Sequence, residues 1–342
     1  MSTTTTSGMR QRITKGSSPF APGATIAGKQ VERWFPLPSA APVAQHLDRP
    51  LRWGKPRHGI LTNDLFDGSL SNEAIAAVFG VMLLAKQHTF QILTKRPERA
   101  RGFFDWISAN PLFVGESRES ADRLGGGPAH ACLTLLGAKT PPELAKGPLF
   151  TAVLLGGTQP KPGAPIEKLW PLPNVWLGTS VENQATADER IPLLLQTPAA
   201  KRFVSYEPAL GPVDFSCIWF RQPGGETLWN ALRSSPPDAG GKWAGIRGLD
   251  WLIVGGESGP GARPFDVAWA RSTVEQCKSA GVAVFVKQLG ARPYGLGTDL
   301  RLARVTDRED AKNDLFSLGL RDRKGGDWSE WPEDLRVREF PL

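Results

Sequence analysis

The sequence predicts an α/β protein: a parallel β/α barrel, full or partial, of about six or more strands with two irregular insertions. Three observations predict it. Short apolar runs recur along the chain, mostly with helix-period segments between them. Nearly every run ends on polar side chains. No Gly-x-Gly-x-x-Gly turn follows the first run, which lowers the alternative of an open doubly wound dinucleotide-binding sheet.

The unit is clearest at 249–264. The run Leu252-Ile253-Val254 reads as a buried strand, and it stops on Gly255-Gly256-Glu257-Ser258-Gly259. Glycines there allow positive φ and close approach to a bound group. Asp266 can cap a helix over 267–280, with Trp269, Thr273, Val274 and Cys277 on one face, and Gly281 is placed to end it. Residues 282–286 read as the next strand, which delivers Lys287 and Gln288.

Earlier parts repeat the pattern. A short strand from His58 runs into Asn63 and Asp64. Ser71 or Asn72 can cap a helix over 73–86, with Ile75, Val78, Phe79 and Met82 at helical spacing. The strand 89–94 ends on Lys95-Arg96-Pro97, and a helix follows to about 108. The strand 173–180 ends in Ser180 and Glu182, and Thr186 or Asp188 starts a helix through Gln196. The strand 202–206 ends in Glu207.

Between these units, 109–170 loses its rhythm at Gly125-Gly126-Gly127-Pro128 and in a proline cluster at 160–165. It reads as an insertion with one or two short helices and a strand at 150–155. A second insertion, rich in Gly, Pro and Trp, spans 215–248. The organisation expected is an irregular segment over 1–48, a barrel-like domain over 49–290 and a polar extension over 291–342.

Parallel strands would gather Asp64, Lys95, Glu207, Gly255, Gly256, Glu257, Ser258 and Lys287 at one mouth, where such barrels hold their chemistry. Glu207 and Glu257 suit acid–base work or the grip of an amine. Lys95, Arg96 and Lys287 suit an anion. Ion pairs that tie loops together are the structural alternative for each. His58 and His88 fall at strand starts, which points to packing. No Ser/His/Asp or Cys/His set can be assembled from adjacent exits, and no metal-ligand spacing is present.

Composition bounds the rest. Hydrophobic residues at 40% allow a sizeable core, and 22% charged residues argue against wholesale disorder. No long apolar run suggests a membrane span, and the Ser/Thr-rich start has no signal-peptide core. Three scattered cysteines, Cys132, Cys217 and Cys277, fit a reducing cytoplasm better than a disulfide framework. A net charge of +7 fits either attraction to nucleic acid or a basic surface with no specific partner. Twelve Trp against two Tyr read mainly as packing residues near element ends, ahead of base-stacking platforms.

Several longer stretches carry a resemblance. They include His46-Leu47-Asp48-Arg49-Pro50-Leu51-Arg52-Trp53, Gln91-Ile92-Leu93-Thr94-Lys95-Arg96-Pro97, Thr186-Ala187-Asp188-Glu189-Arg190-Ile191-Pro192, Glu207-Pro208 with Gly211-Pro212-Val213-Asp214, and Phe285-Val286-Lys287-Gln288. With the 249–264 unit and 170–178, they resemble a family of uncharacterised phage and prophage proteins, gene products thirty-seven or sixty-eight, over about 46–290.

That family resembles a divergent branch of the radical S-adenosylmethionine barrel enzymes. The resemblance implies a [4Fe–4S] cluster held by three cysteines of an N-terminal loop, with the cofactor's methionine part at the barrel top. It makes Gly255, Gly256 and Glu257 candidate cofactor contacts, although the equivalent Gly-Gly-Glu of the superfamily comes early in the chain rather than late.

This chain departs where it matters for that chemistry. Residues 1–45 contain no cysteine, and Tyr206 stands where the family has a further one. Thiolates hold such clusters, so no cofactor is expected in this chain. Gly23-Ala24-Thr25-Ile26-Ala27-Gly28 can be encoded so that a shifted frame reads Cys-Asp-His-Cys-Trp, which suggests a frameshifted ligand loop. A genuinely divergent N-terminus is the alternative. Two functions follow as expectations: a radical-type barrel inactive for cluster chemistry, or a phage accessory protein that binds nucleic acid through a basic, Trp-rich surface.

Overall fold

The computed structural model describes residues 25–26, 29–30, 33–34, 49–62, 64–109, 171–222, 225–233, 247–296, 305–310 and 315–341. Strands are numbered β1 to β15 and helices α1 to α4 in chain order. A small antiparallel pair, β1 (Thr25–Ile26) and β2 (Lys29–Gln30), comes first. The centre is a seven-stranded sheet of β3 (Arg33–Trp34), β4 (Ile60–Thr62), β5 (Phe90–Thr94), β6 (Val175–Val181), β7 (Lys201–Tyr206), β10 (Trp251–Gly255) and β12 (Ala283–Gln288). Every neighbouring pair in it is parallel. The strands lie side by side in the order in which the chain makes them. Such an order contains no reversal, so the switch point of a doubly wound sheet is missing among the described residues. The sheet stops at β3 and β12, and no pairing joins those two among the described residues.

The helices are α1 (Asn72–Leu84), α2 (Pro97–Ala109), α3 (Gln184–Gln196) and α4 (Val267–Ala280). Ser71 caps α1 by accepting a hydrogen bond from the Ala74 amide. Asp266 caps α4 in the same way through Ala268, and Gly281 ends it at φ 73°, a left-handed position suited to glycine. The start of α3 differs from expectation. Asn183 is the N-cap, and Thr186 sits three residues in, returning a bond to the Asn183 amide. That reciprocal pair satisfies two amides at once and therefore outcompetes a later start.

Strand alternation sorts side chains onto two faces. Phe90, Ile92, Val175, Leu177, Val204, Tyr206, Leu252, Val254, Val284 and Val286 join one large core. Ile75 and Phe79 of α1, Phe103 of α2, Ile191 of α3 and Val274 of α4 are in that same core. All four helices of the described residues thus cover one face of the sheet. The other face, here the inner face, carries a smaller cluster of Phe203, Trp251, Ile253 and Phe285, with Leu93, Trp176 and Phe340 against it. Gly178 makes room there, since a Cβ on it would lie 2.5 Å from the Phe203 ring.

The second insertion is more regular than its composition suggests. It forms an antiparallel hairpin of β8 (Ile218–Gln222) and β9 (Gly225–Trp229), with Trp219 opposite Leu228. Ile218 and Phe220 are buried, and the dipeptide Pro223-Gly224 between the apolar run 218–220 and Leu228-Trp229 was the missed signal. The polar extension also holds structure. β13 (Pro293–Leu296), β14 (Val305–Asp310) and β15 (Leu315–Leu318) build a small sheet with β11 (Phe265–Asp266). Residues 336–341 then run along the outer edge of β12. There the Val286 amide donates to the Val337 carbonyl at 2.9 Å, and the Glu339 amide to the Val284 carbonyl at 2.9 Å.

The strand expected at 150–155, the short helices around it and most of 1–48 lie outside the described residues. Trp251 and Trp331 are fully buried, and Trp53, Trp106, Trp176, Trp269 and Trp328 pack against the cores, as packing residues should. Among the described residues, no helix is long and apolar enough to cross a membrane.

Candidate functional site

Because the strands are parallel, their carboxyl ends share one pole of the sheet. Asp64, Lys95, Ser180, Glu182, Glu207, Gly255, Glu257 and Lys287 finish or follow strands there. The register fixes which of them face inward. Gly178, Phe203, Trp251 and Ala283 are aligned across β6, β7, β10 and β12. One step towards the exits, Ser180, Ser205, Ile253 and Phe285 are aligned. Glu207, Gly255 and Lys287 continue the same alternation. An apolar floor thus gives way to hydroxyls and then to a charged pair.

Lys287 Nζ lies 3.0 Å from Glu207 Oε2, and Ser205 Oγ donates to the same oxygen at 3.3 Å. The side chains of the pair are only 20% and 11% exposed, so water screens them weakly. Glu207 Oε1 is buried and has no hydrogen-bond partner. It faces Gly255, on which a Cβ would come within 2.6 Å of it. Gly255 is therefore small because the carboxylate occupies the space a side chain would take.

Gly256 has a parallel reason, since a Cβ on it would meet the Leu289 carbonyl oxygen at 2.4 Å. Of the glycines in 255–259 for which positive φ was expected, Gly259 adopts it, as does Gly261 just beyond, whereas Gly255 and Gly256 do not. The close approach made by Gly255 and Gly256 is to the chain's own atoms.

Around this pair the exits are tied by backbone bonds. The Ala209 amide donates to the Gly255 carbonyl and the Leu210 amide to the Glu182 carbonyl. The Gly256 amide donates to Gln288, and the Ala291 amide to Glu257. Four strand ends are so held as one platform.

The other predicted residues form separate ion pairs on that platform. Glu257 accepts from the Arg263 backbone amide, Nε and Nη2, at 2.8–2.9 Å. Those bonds hold its carboxyl down at about 2. Lys95 reaches Glu182 at 2.8 Å, and Arg190 grips the same carboxylate at 3.0 Å. Asp64 accepts from Thr94 Oγ1 at 2.7 Å and pairs with Arg96 at 2.6 Å, while Arg96 also reaches Asp67 at 2.9 Å. Ser258 is exposed on the loop.

The inner pair therefore unites Glu207, Lys287 and Gly255. Glu257, Lys95 and Asp64 stand beside it with partners of their own. Arg190 and Arg263 are the residues sequence reading missed. Arg263 stands six residues after Glu257 across a glycine-rich turn, a spacing with no helical or strand rule behind it.

Tyr206 faces the helix side of the sheet, where its hydroxyl donates to the Gly211 carbonyl and burial raises its pKa. A cysteine at that position would point away from the inner face. His88 is buried at the opposite pole. Its Nδ1 accepts from the Arg57 amide at 3.1 Å and its Nε2 lies 3.0 Å from the Pro50 carbonyl, a packing role.

Fold and site together define an α/β protein whose parallel sheet carries its helices on one face and a cluster of paired charges at its strand exits. Within that class, the chain belongs to the DUF5131 family of proteins of unknown function, whose profile matches residues 19–313. The matched span reaches beyond 46–290 at both ends and takes in most of the cysteine-free N-terminal stretch. No curated protein and no solved structure matches the chain.

Proposed function

We propose that this chain is a β/α barrel, full or partial, of phage or prophage origin and related to the radical S-adenosylmethionine enzymes, whose strand-exit site binds a small polar ligand without an iron–sulfur cluster. The observation that carries this reading is the inner pair, a half-buried carboxylate and ammonium above an apolar floor, with one carboxylate oxygen lacking a donor. A buried acceptor left unpaired is costly, and that cost is relieved if the Glu207 carboxylate turns from Gly255 to accept from an ammonium or amide N–H of a ligand. Ser180 and Ser205 add hydroxyls beside it, and Phe203, Ile253 and Phe285 suit an apolar body below. The sequential strand order supports the barrel relationship, because a sheet of this kind curls around its inner face when helices cover the other.

A three-cysteine cluster does not fit the residues present. Residues 1–45 offer no thiolate. Cys277 is enclosed in α4, where burial pushes its thiol up to about 12. Among the described residues, no three His, Cys, Asp or Glu side chains gather to hold a metal. Gly255, Gly256 and Glu257 fit the implied cofactor contacts poorly as well, because Glu207, Leu289 and Arg263 already fill them.

Thermal-shift titration with n-propylamine and with propionate tests the reading. Saturable stabilisation by the amine alone, lost in Glu207→Gln, is expected. Equal responses to both, or none, would remove it. Anaerobic reconstitution with iron and sulfide should leave no visible cluster absorption, and a stoichiometric cluster would overturn that part.

The nucleic-acid alternative rests on the net charge of +7. It comes second because Lys95, Arg96, Arg263 and Lys287 are each held by a carboxylate. Tight DNA binding with a steep salt slope would put it first.

A further inference from the structure

The edge of β12 away from β10 is filled by residues 336–341, and the filling has the form of a recognised peptide. Two backbone bonds join the segment to β12, and Phe285 and Arg338 form an antiparallel bridge. Arg338 and Phe340 lie two apart, so they project to the same side.

The Arg338 guanidinium is surrounded by three rings, Phe285 at 5.3 Å, Trp328 at 5.1 Å and Trp331 at 5.4 Å. Its Nε and Nη2 donate to the carbonyls of Val286 and Lys287. Phe340 lies on Trp251 at 5.0 Å and Phe285 at 5.5 Å, and Trp251 Nε1 donates to the Glu339 carbonyl. Strand addition with a pocket for each alternate side chain is a general mode of peptide capture.

The occupant is not ideally held. Burial lowers the Arg338 guanidinium to about 10, and among the described residues no carboxylate offsets it and its Nη1 has no hydrogen-bond partner. A buried cation so placed docks at a cost, which favours exchange.

We propose that the outer edge of β12, with its aromatic cage and its Phe pocket, is a peptide-binding seat occupied in cis by residues 336–341, and that it takes an extended Arg-x-Phe segment of a partner protein when that segment leaves. Tethering gives the cis segment an effective concentration in about the millimolar range, so a free peptide competes poorly until the segment is loosened. Occupancy is also felt at the strand exits, because Arg338 holds the carbonyl of Lys287, whose ammonium holds Glu207.

The test uses the full chain carrying Arg338→Ala and Phe340→Ala, and a fluorescein-labelled peptide of residues 335–342, read by anisotropy. The folded variant should bind the peptide saturably, at least about tenfold more tightly than the unaltered chain does. A peptide with both positions changed to Ala should not bind. A folded variant that ignores the native peptide overturns the proposal.

Should the variant fail to fold, hydrogen exchange on the unaltered chain decides instead. The Glu339 and Val286 amides should exchange through a local opening, well before the amides that join β10 to β7. Exchange only at the rate of global unfolding refutes a displaceable segment. A doubled mass of the unaltered chain in light scattering, lost on Arg338→Ala and Phe340→Ala, would show a second copy in the seat and would also overturn the cis assignment.

Discussion

Removing Lys287 alone should destabilise the protein more than removing Lys287 and Glu207 together. At 3.0 Å and an effective dielectric near 20, the attraction of the pair is about 5 kcal/mol before other costs. Partial burial of both groups returns a large part of that as desolvation, so the pair's net contribution is well below its coupling. Lys287→Met strands a carboxylate that keeps only Ser205 as donor and already has one oxygen without a partner. Its expected cost is about 3 kcal/mol. Glu207→Met with Lys287→Met removes both charges at similar volume and should cost about 1 kcal/mol. A double-mutant cycle by urea denaturation measures the difference. If the single effects add to the double within about 0.5 kcal/mol, the pair is not coupled and the reasoning about the inner face fails.

Other consequences are as open to measurement. Gly178→Ala places a methyl in the Phe203 ring and should cost about 2 kcal/mol in the same denaturation assay, whereas an unchanged midpoint would show that the inner cluster is loose. Glu257 is held at about 2 against an ordinary 4.5, so its contribution is complete above pH 4.5 and fades as pH falls towards 2. Arg263→Gln should flatten that part of the acid-unfolding curve, and an identical slope in both proteins would contradict the assigned pairing. Cys277 should resist a thiol reagent until the chain unfolds, while half-buried Cys217 reacts before it, as mass spectrometry of labelled peptides would show; early labelling of Cys277 would refute its burial. Sequencing the gene upstream of His46 should show codons for 23–28 that read Cys-Asp-His-Cys-Trp in a shifted frame. Codons unable to do so end the frameshift idea.

The parallel strands and their intervening helices were legible because each carries a local cause. Asp266 and Gly281 bracket α4 with a cap and a left-handed stop, and Ile75, Val78, Phe79 and Met82 fall within the stretch Ala74 to Met82 of α1, which is buried on every side. The start of α3 was misread because Asn183 and Thr186 act as a pair, which single-residue cap preferences do not reveal. The β8–β9 hairpin and the β13–β15 sheet were hidden by proline, glycine and charge, since their partners are remote in sequence or half-exposed.

At the site, the pole was foreseeable from chain direction, but the pairings were not. Gly255 reads in sequence as a place for a ligand, yet in the folded chain Glu207 fills it. The link from Glu207 to Lys287 crosses 80 positions and leaves no local trace.

The sheet's one-directional build has a consequence for how the molecule tolerates change. The chain departs after α2 at Ala109 and returns just ahead of β6, where Asn174 binds the carbonyls of Met82, Ala85 and His88. That return is at the strand-start pole, the far side from Glu207 and Lys287. The described ends of that excursion therefore meet the sheet at the strand-start pole, and neither of them sets the spacing of the strand exits. Variation in length is cheap on one side of such a scaffold and costly on the other.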